Sequence, residues 1–290
     1  MSVSRRGLTA LAITAAAVAA GTAMATPAYA AGVHGTAKVS GASVVFVSAT
    51  GKANMIFFTR SGRTVTIDSR DGWAIRAGAG CKAVSGDKTK VRCTTKKTTK
   101  SLKVTFSAKD DYVYNQTSLP LTASGGAGSD HLQSKGAADL LSGGDGDDFL
   151  MGGNGANRLY GGPGADHLSG GSGADRLWGG PGNDGLQGLG GNDVLSDESG
   201  SNYFDGGPGN DILFGGSGPD TMRGRAGNDT AHGGAGVDHL FGDEGDDRLY
   251  STPSSADSFR ERVYGGGNVT ASPGDICTAA ETVIGCETLV

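Results

Sequence analysis

Histidine, cysteine and aromatic residues are all scarce in this chain. Its 290 residues include five His and four Cys, and Phe, Trp and Tyr together make up 6%. The histidines (34, 131, 167, 232 and 239) keep no regular order, and no Cys-x-x-Cys occurs. That argues against a zinc or copper centre, which asks for imidazole or thiolate at set spacings. Also missing are His-Glu-x-x-His, Gly-x-Ser-x-Gly and Gly-Lys followed by Ser or Thr, the usual marks of metalloproteases, serine hydrolases and phosphate loops. One apolar run exists, Leu8 to Ala20, too short to cross a bilayer, and no other segment could span one.

Glycine is what the chain has in excess, at 53 residues. From Gly161 it reads GGPGADHLSGGSGADRLWGGPGNDGLQ, a nine-residue unit Gly-Gly-x-Gly-x-Asp-x-Leu-x given three times. The same phase holds from Gly125 to Tyr250, fourteen consecutive nonapeptides. Position six carries Asp130, Asp139, Asp148, Asn157, Asp166, Asp175, Asp184, Asp193, Asn202, Asp211, Asp220, Asp229, Asp238 and Asp247. Position eight is Leu except at Phe204, Met222 and Ala231, and position four is Gly except at Ala137. A short period kept in phase this long marks a solenoid rather than a linker.

Each unit reads as a glycine turn followed by a very short strand. The three glycines suit a turn with positive φ, and the leucine points inward while its neighbours point out. Two units then complete one coil of eighteen residues, and fourteen units give seven coils with turns in two columns. Stacked aspartates about 5 Å apart repel by roughly 1 kcal/mol per pair even in a high dielectric. A hard cation between them removes that penalty. Calcium fits best, because it takes six to eight carboxylate and carbonyl oxygens in flexible geometry, whereas magnesium is small and holds its water.

With these residues in view, the repeat resembles the repeat-in-toxin (RTX), or haemolysin-type, calcium-binding nonapeptides. The resemblance covers residues 125–250. It implies a parallel β-roll with calcium between each turn and the turn one coil further on. The ligand role falls on the twelve position-six aspartates, from Asp130 to Asp247, with Asn157 and Asn202 departing from the pattern. The flanks resemble those of small secreted actinobacterial calcium-binding proteins with cysteine-bearing ends.

Residues 1–30 read as an export signal: Arg5 and Arg6, the apolar run, then Ala28-Tyr29-Ala30. Export suits the four cysteines, which allow three disulfide connectivities. The local pairs Cys81–Cys93 and Cys277–Cys286 each close a short loop and are the expectation. Charge divides the rest. Residues 32–124 carry 15 Lys and Arg against 5 acids, residues 125–250 carry 6 against 20, and residues 251–290 carry 2 against 5. A basic cap over residues 31–124, a β-roll over 125–250 and a C-terminal cap over 251–290 with its own disulfide follow.

Alternating segments beginning at Ser43, Asn54, Arg63 and Ser101, with turns at Gly51, Gly62 and Gly72, make the N-terminal cap all-β. Its stretch TKVRCTTKKTTKSLK from Thr89 is strongly basic without aromatics, which disfavours nucleic acid and suits an anionic envelope polymer. Position nine carries Tyr160, Trp178, Phe214 and Tyr250, all in even-numbered repeats, so one face should present rings to a glycan or a partner chain. The expected protein is thus a secreted calcium-binding module and not an enzyme. The alternative is a secreted hydrolase or polysaccharide-active enzyme with its catalytic part in residues 31–124.

Overall fold

The computed structural model describes residues 33–49, 51–251 and the short strands 262–264, 276–278, 282–284 and 288–289. Residues 1–30, read above as an export signal, and Cys286 of the expected second disulfide lie outside the described residues. Every regular element described is a strand. The fold is a parallel β-roll, as the nine-residue period requires.

Alternating side chains build the N-terminal part. Its strands are β1 (Val33–Ser40), β2 (Ser43–Ser48), β3 (Met55–Ser61), β4 (Thr64–Ser69), β5 (Ala74–Ala77), β6 (Cys81–Val84), β7 (Asp87–Thr94), β8 (Ser101–Thr105), β9 (Tyr112–Asn115), β10 (Leu121–Ala127) and β11 (His131–Ser134). β2, β3, β4 and β8 fall where the alternation predicts. In β2 the even positions Val44, Phe46 and Ser48 are buried while their neighbours are half-buried. β1 with β2, β3 with β4, and β4 and β6 with β7 pair antiparallel. Cys81 and Cys93 form the first expected disulfide across β6 and β7.

A second kind of pairing carries the chain into the repeats. β2 runs parallel to β8, β8 to β10, and β10 to Leu140–Asp145. On the opposite side β3 pairs parallel with β9, β9 with β11, and β11 with Phe149–Asn154. The two fourteen-stranded sheets therefore continue across residue 124, where charge and sequence change. Strands of even repeats lie in one sheet and those of odd repeats in the other, in register at eighteen residues: Leu132 faces Leu150, and Leu141 faces Leu159. The strands 262–264, 276–278, 282–284 and 288–289 extend both sheets in the same parallel sense.

Each coil buries little. The position-eight leucines are 0% exposed, as are Phe204 and Met222 in the same row. They join the N-terminal Phe46, Ile56, Leu102 and Val113 in a single core. One aliphatic side chain per nine residues is a thin core, and what fills the turns decides whether it suffices.

Candidate metal centre

The turns place glycine for two different reasons. Positions two and four hold positive φ, as at Gly144 (128°) and Gly146 (121°). A Cβ on either would also run into the position-two or position-four carbonyl one coil earlier, Gly126 O or Gly128 O. Position one differs from expectation, because its glycines do not hold positive φ. A Cβ at Gly161 would instead strike two oxygens: Oδ2 of Asp166 in its own repeat and the carbonyl of Gly179 one coil on. The first glycine makes room for a convergence of oxygens.

The aspartates form two ladders up the roll. Each buried carboxylate accepts, through Oδ1, the backbone N–H of the position-six residue one coil back. Asp130 N donates to Asp148, Asp148 to Asp166 and Asp166 to Asp184, at 2.7–2.8 Å. On the other edge Asp175 N donates to Asp193, Asp193 to Asp211 and Asp211 to Asp229, also at 2.7–2.8 Å. The second oxygen is different. Oδ2 of Asp130, Asp148, Asp166, Asp193, Asp211 and Asp229 is buried and no donor reaches it. A buried carboxylate oxygen left without a partner is costly.

Carbonyls share that space. Between repeats five and seven, Asp166 Oδ2 meets Gly179 O, while Gly162 O and Gly164 O face the next turn at Gly180 and Gly182. Gly179 O already accepts the Gly162 N–H at 2.9 Å, and the set of one carboxylate and three carbonyl oxygens fits a hard cation. Asn157 reports where they converge. Its Oδ1 keeps the ladder bond from Asp139 N at 3.0 Å. Its Nδ2 donates to Gly153 O, Gly155 O and Gly170 O at 3.4, 2.9 and 3.2 Å. Positions two and four of its own turn and position one of the next are thus brought to one amide. The aspartates have no donor to offer those carbonyls. Asn202 keeps the ladder bond from Asp184 N at 2.8 Å, but its Nδ2 is buried without a partner.

Among the described residues no three His, Cys, Asp or Glu side chains cluster as a metal site. This agrees with a donor set of one carboxylate and several backbone carbonyls per gap. The ladder also reaches further than the repeat pattern does. Asp111, fully buried, donates its N–H to Asp130 Oδ1 at 2.7 Å and accepts from Asn54 N and Nδ2 at 2.6 and 2.7 Å. It stands nineteen residues before Asp130, one more than the repeat, which hides it from a search in phase. Phe106, packed edge-on to Phe46, occupies the place of the first glycine there.

Two columns of oxygen-lined turns on a two-sheet parallel coil define a calcium-binding β-roll. Residues 124–159, 151–186, 187–222 and 214–249 each match the family of RTX calcium-binding nonapeptide repeats, and this region of the chain belongs to that family. No curated protein and no solved structure gives a match.

Burial sets the acid–base behaviour of the turns. It pushes Asp166, Asp211 and Asp229 up to about 7, with neighbouring aspartates adding to the shift and the ladder hydrogen bond opposing it. A carboxyl raised in this way stabilises the metal-free fold below the ordinary carboxylate range and loses that contribution as pH climbs through about 7. In calcium-free buffer the β signal in circular dichroism should therefore fall between about pH 5 and pH 8, and millimolar calcium should abolish the fall. A calcium-free signal that grows with pH would contradict this.

Proposed function

We propose that residues 125–250 fold on calcium and serve outside the cell as a binding or scaffold module. The observation that carries this is the row of buried carboxylate oxygens that no donor reaches, with carbonyls of the next coil beside those of Asp130, Asp166, Asp193, Asp211 and Asp229. The twelve position-six aspartates would hold the ions, with position-one, -two and -four carbonyls completing each set. Calcium would supply charge to the gaps and tie each coil to the next. Export rests on the signal-like residues 1–30.

With chelator at neutral pH, the repeats should be disordered in circular dichroism and quickly proteolysed, while millimolar calcium restores β signal and protection. Equal folding without any divalent ion would reject the reading. Fourteen turns in two columns give a ceiling of about twelve ions, of which about eight should be tight. Sequence weakens the gaps two–four, four–six, seven–nine and nine–eleven. In the four–six gap the Asn157 amide already serves the carbonyls. Asn157→Asp should add one tight ion in native mass spectrometry; an unchanged count would show that the amide and the cation do not share a place.

The partner surface is proposed on the even-repeat face. Tyr160 and Trp178 stack at 4.5 Å with rings 2° from parallel, and Phe214, His232 and Tyr250 continue the row at 5.2 and 4.5 Å. Tyr160 and Phe214 stay about two-fifths exposed, at 38% and 40%. Flat exposed rings suit sugar faces of an envelope glycan. Arg92, Lys96, Lys97, Lys100 and Lys103 are also exposed and suit an anionic wall polymer, through contacts that weaken with salt. Tyr160→Ala with Trp178→Ala should leave the calcium midpoint within about twofold while weakening retention on isolated cell walls. Loss of folding in that variant would show the rings to be structural. Turnover of polysaccharides or esters by the calcium-loaded protein would favour instead the enzyme reading of residues 31–124.

A further inference from the structure

Repeat nine, Asp197-Glu198-Ser199-Gly200-Ser201-Asn202, breaks the motif twice. It has Asn in place of the position-six acid, and Asp197 at position one, where every repeat but it and the second carries glycine. Read in sequence, these changes weaken the gaps on both sides of it, seven–nine and nine–eleven. In the structure Asp197 is 8% exposed and its carboxylate turns back across the seven–nine gap. Its Oδ1 accepts from Ser199 N at 3.0 Å. Its Oδ2 lies beside Oδ2 of Asp184 from repeat seven, at the point where a Cβ on Gly179 would stand. In the ordinary gap the position-one carbonyl of the next coil takes that place.

Both carboxylates are bound on one side only. Asp184 Oδ1 accepts Asp166 N at 2.7 Å, and Asp184 is 3% exposed. No donor from any other residue reaches Oδ2 of either aspartate, so the two oxygens confront each other inside the protein. The Gly182 carbonyl faces the same gap at Gly200.

The geometry points to the gap between repeats seven and nine as a two-carboxylate calcium site, in which Asp197 adds a second carboxylate to that of Asp184. It rests on the calcium reading above, and it makes this gap one of the strongest rather than one of the weakest. Two full charges meet the cation where the ordinary gap offers one, and ligand charge is a main control of calcium affinity. The irregular repeat is then where calcium enters first.

The test is a calcium titration of the full chain by native mass spectrometry, with Asp197→Asn, Asp197→Gly and Glu198→Gln. Glu198 is the exposed neighbouring acid, so its variant loses the same charge without touching the gap. Wild type and Glu198→Gln should take up their first ion at the same calcium concentration. Asp197→Asn should need about tenfold more and finish one tight ion short. Asp197→Gly restores the motif glycine, so it should fold even if the asparagine variant does not; it too should lose early uptake. First-ion uptake unchanged in the Asp197 variants that fold would overturn this site while leaving the calcium reading intact. Wild-type protein that takes up no calcium would overturn both.

Discussion

The repeat region depends on how one carboxylate divides its two oxygens. Oδ1 holds the backbone of the coil before it, and Oδ2 is turned inward among carbonyls. The first interaction sets the eighteen-residue register, because only an in-register neighbour presents the N–H of its own position six. The second leaves a deficit that the protein alone does not meet, since backbone carbonyls and carboxylates are all acceptors. A ladder that orders the coils thus also concentrates negative charge along both edges. The thin row of leucines has to be read against that cost.

Glycine follows from the same constraint. At positions two and four it allows a turn of positive φ that stacks closely on the turn before, as at Gly144 and Gly146. Strained exceptions occur: Leu189, Arg225 and Asp243 hold positive φ at position two. At position one the requirement is for space beside a charged oxygen, which is why an aspartate can replace glycine there only by reaching elsewhere, as Asp197 does.

The period, the inward leucines and the aspartate columns were legible in sequence, because each repeats locally at fixed spacing. So were β2, β3, β4 and β8, whose side chains alternate. β1, β5, β6, β7, β9 and β10 were not, since their partners are set by sheet edges and long-range register rather than by their own pattern. The Cys81–Cys93 bridge followed from a short loop. Asp111 escaped because one inserted residue moves it out of phase, although its burial and ladder bond match those of the repeats. The direction of the Asp197 carboxylate could not be read at all: it depends on Gly179, eighteen residues earlier, having no side chain. The rings of Tyr112, His131, Phe149 and His167 form a second stack, on position seven of the odd face. It was hidden because histidine alternates with the aromatics.

The parallel register has a mechanical side. Strands lie across the axis of the coil, and the bonds joining coil to coil run along it. Tension applied between the two ends of the solenoid therefore opens those bonds a few at a time, as a zipper parts, rather than shearing a whole strand at once. Each coil released would add roughly 60 Å of extended chain. A cation held between two turns, as proposed above, would act as a rivet on that seam, and the yield force of the molecule would then depend on the calcium around it.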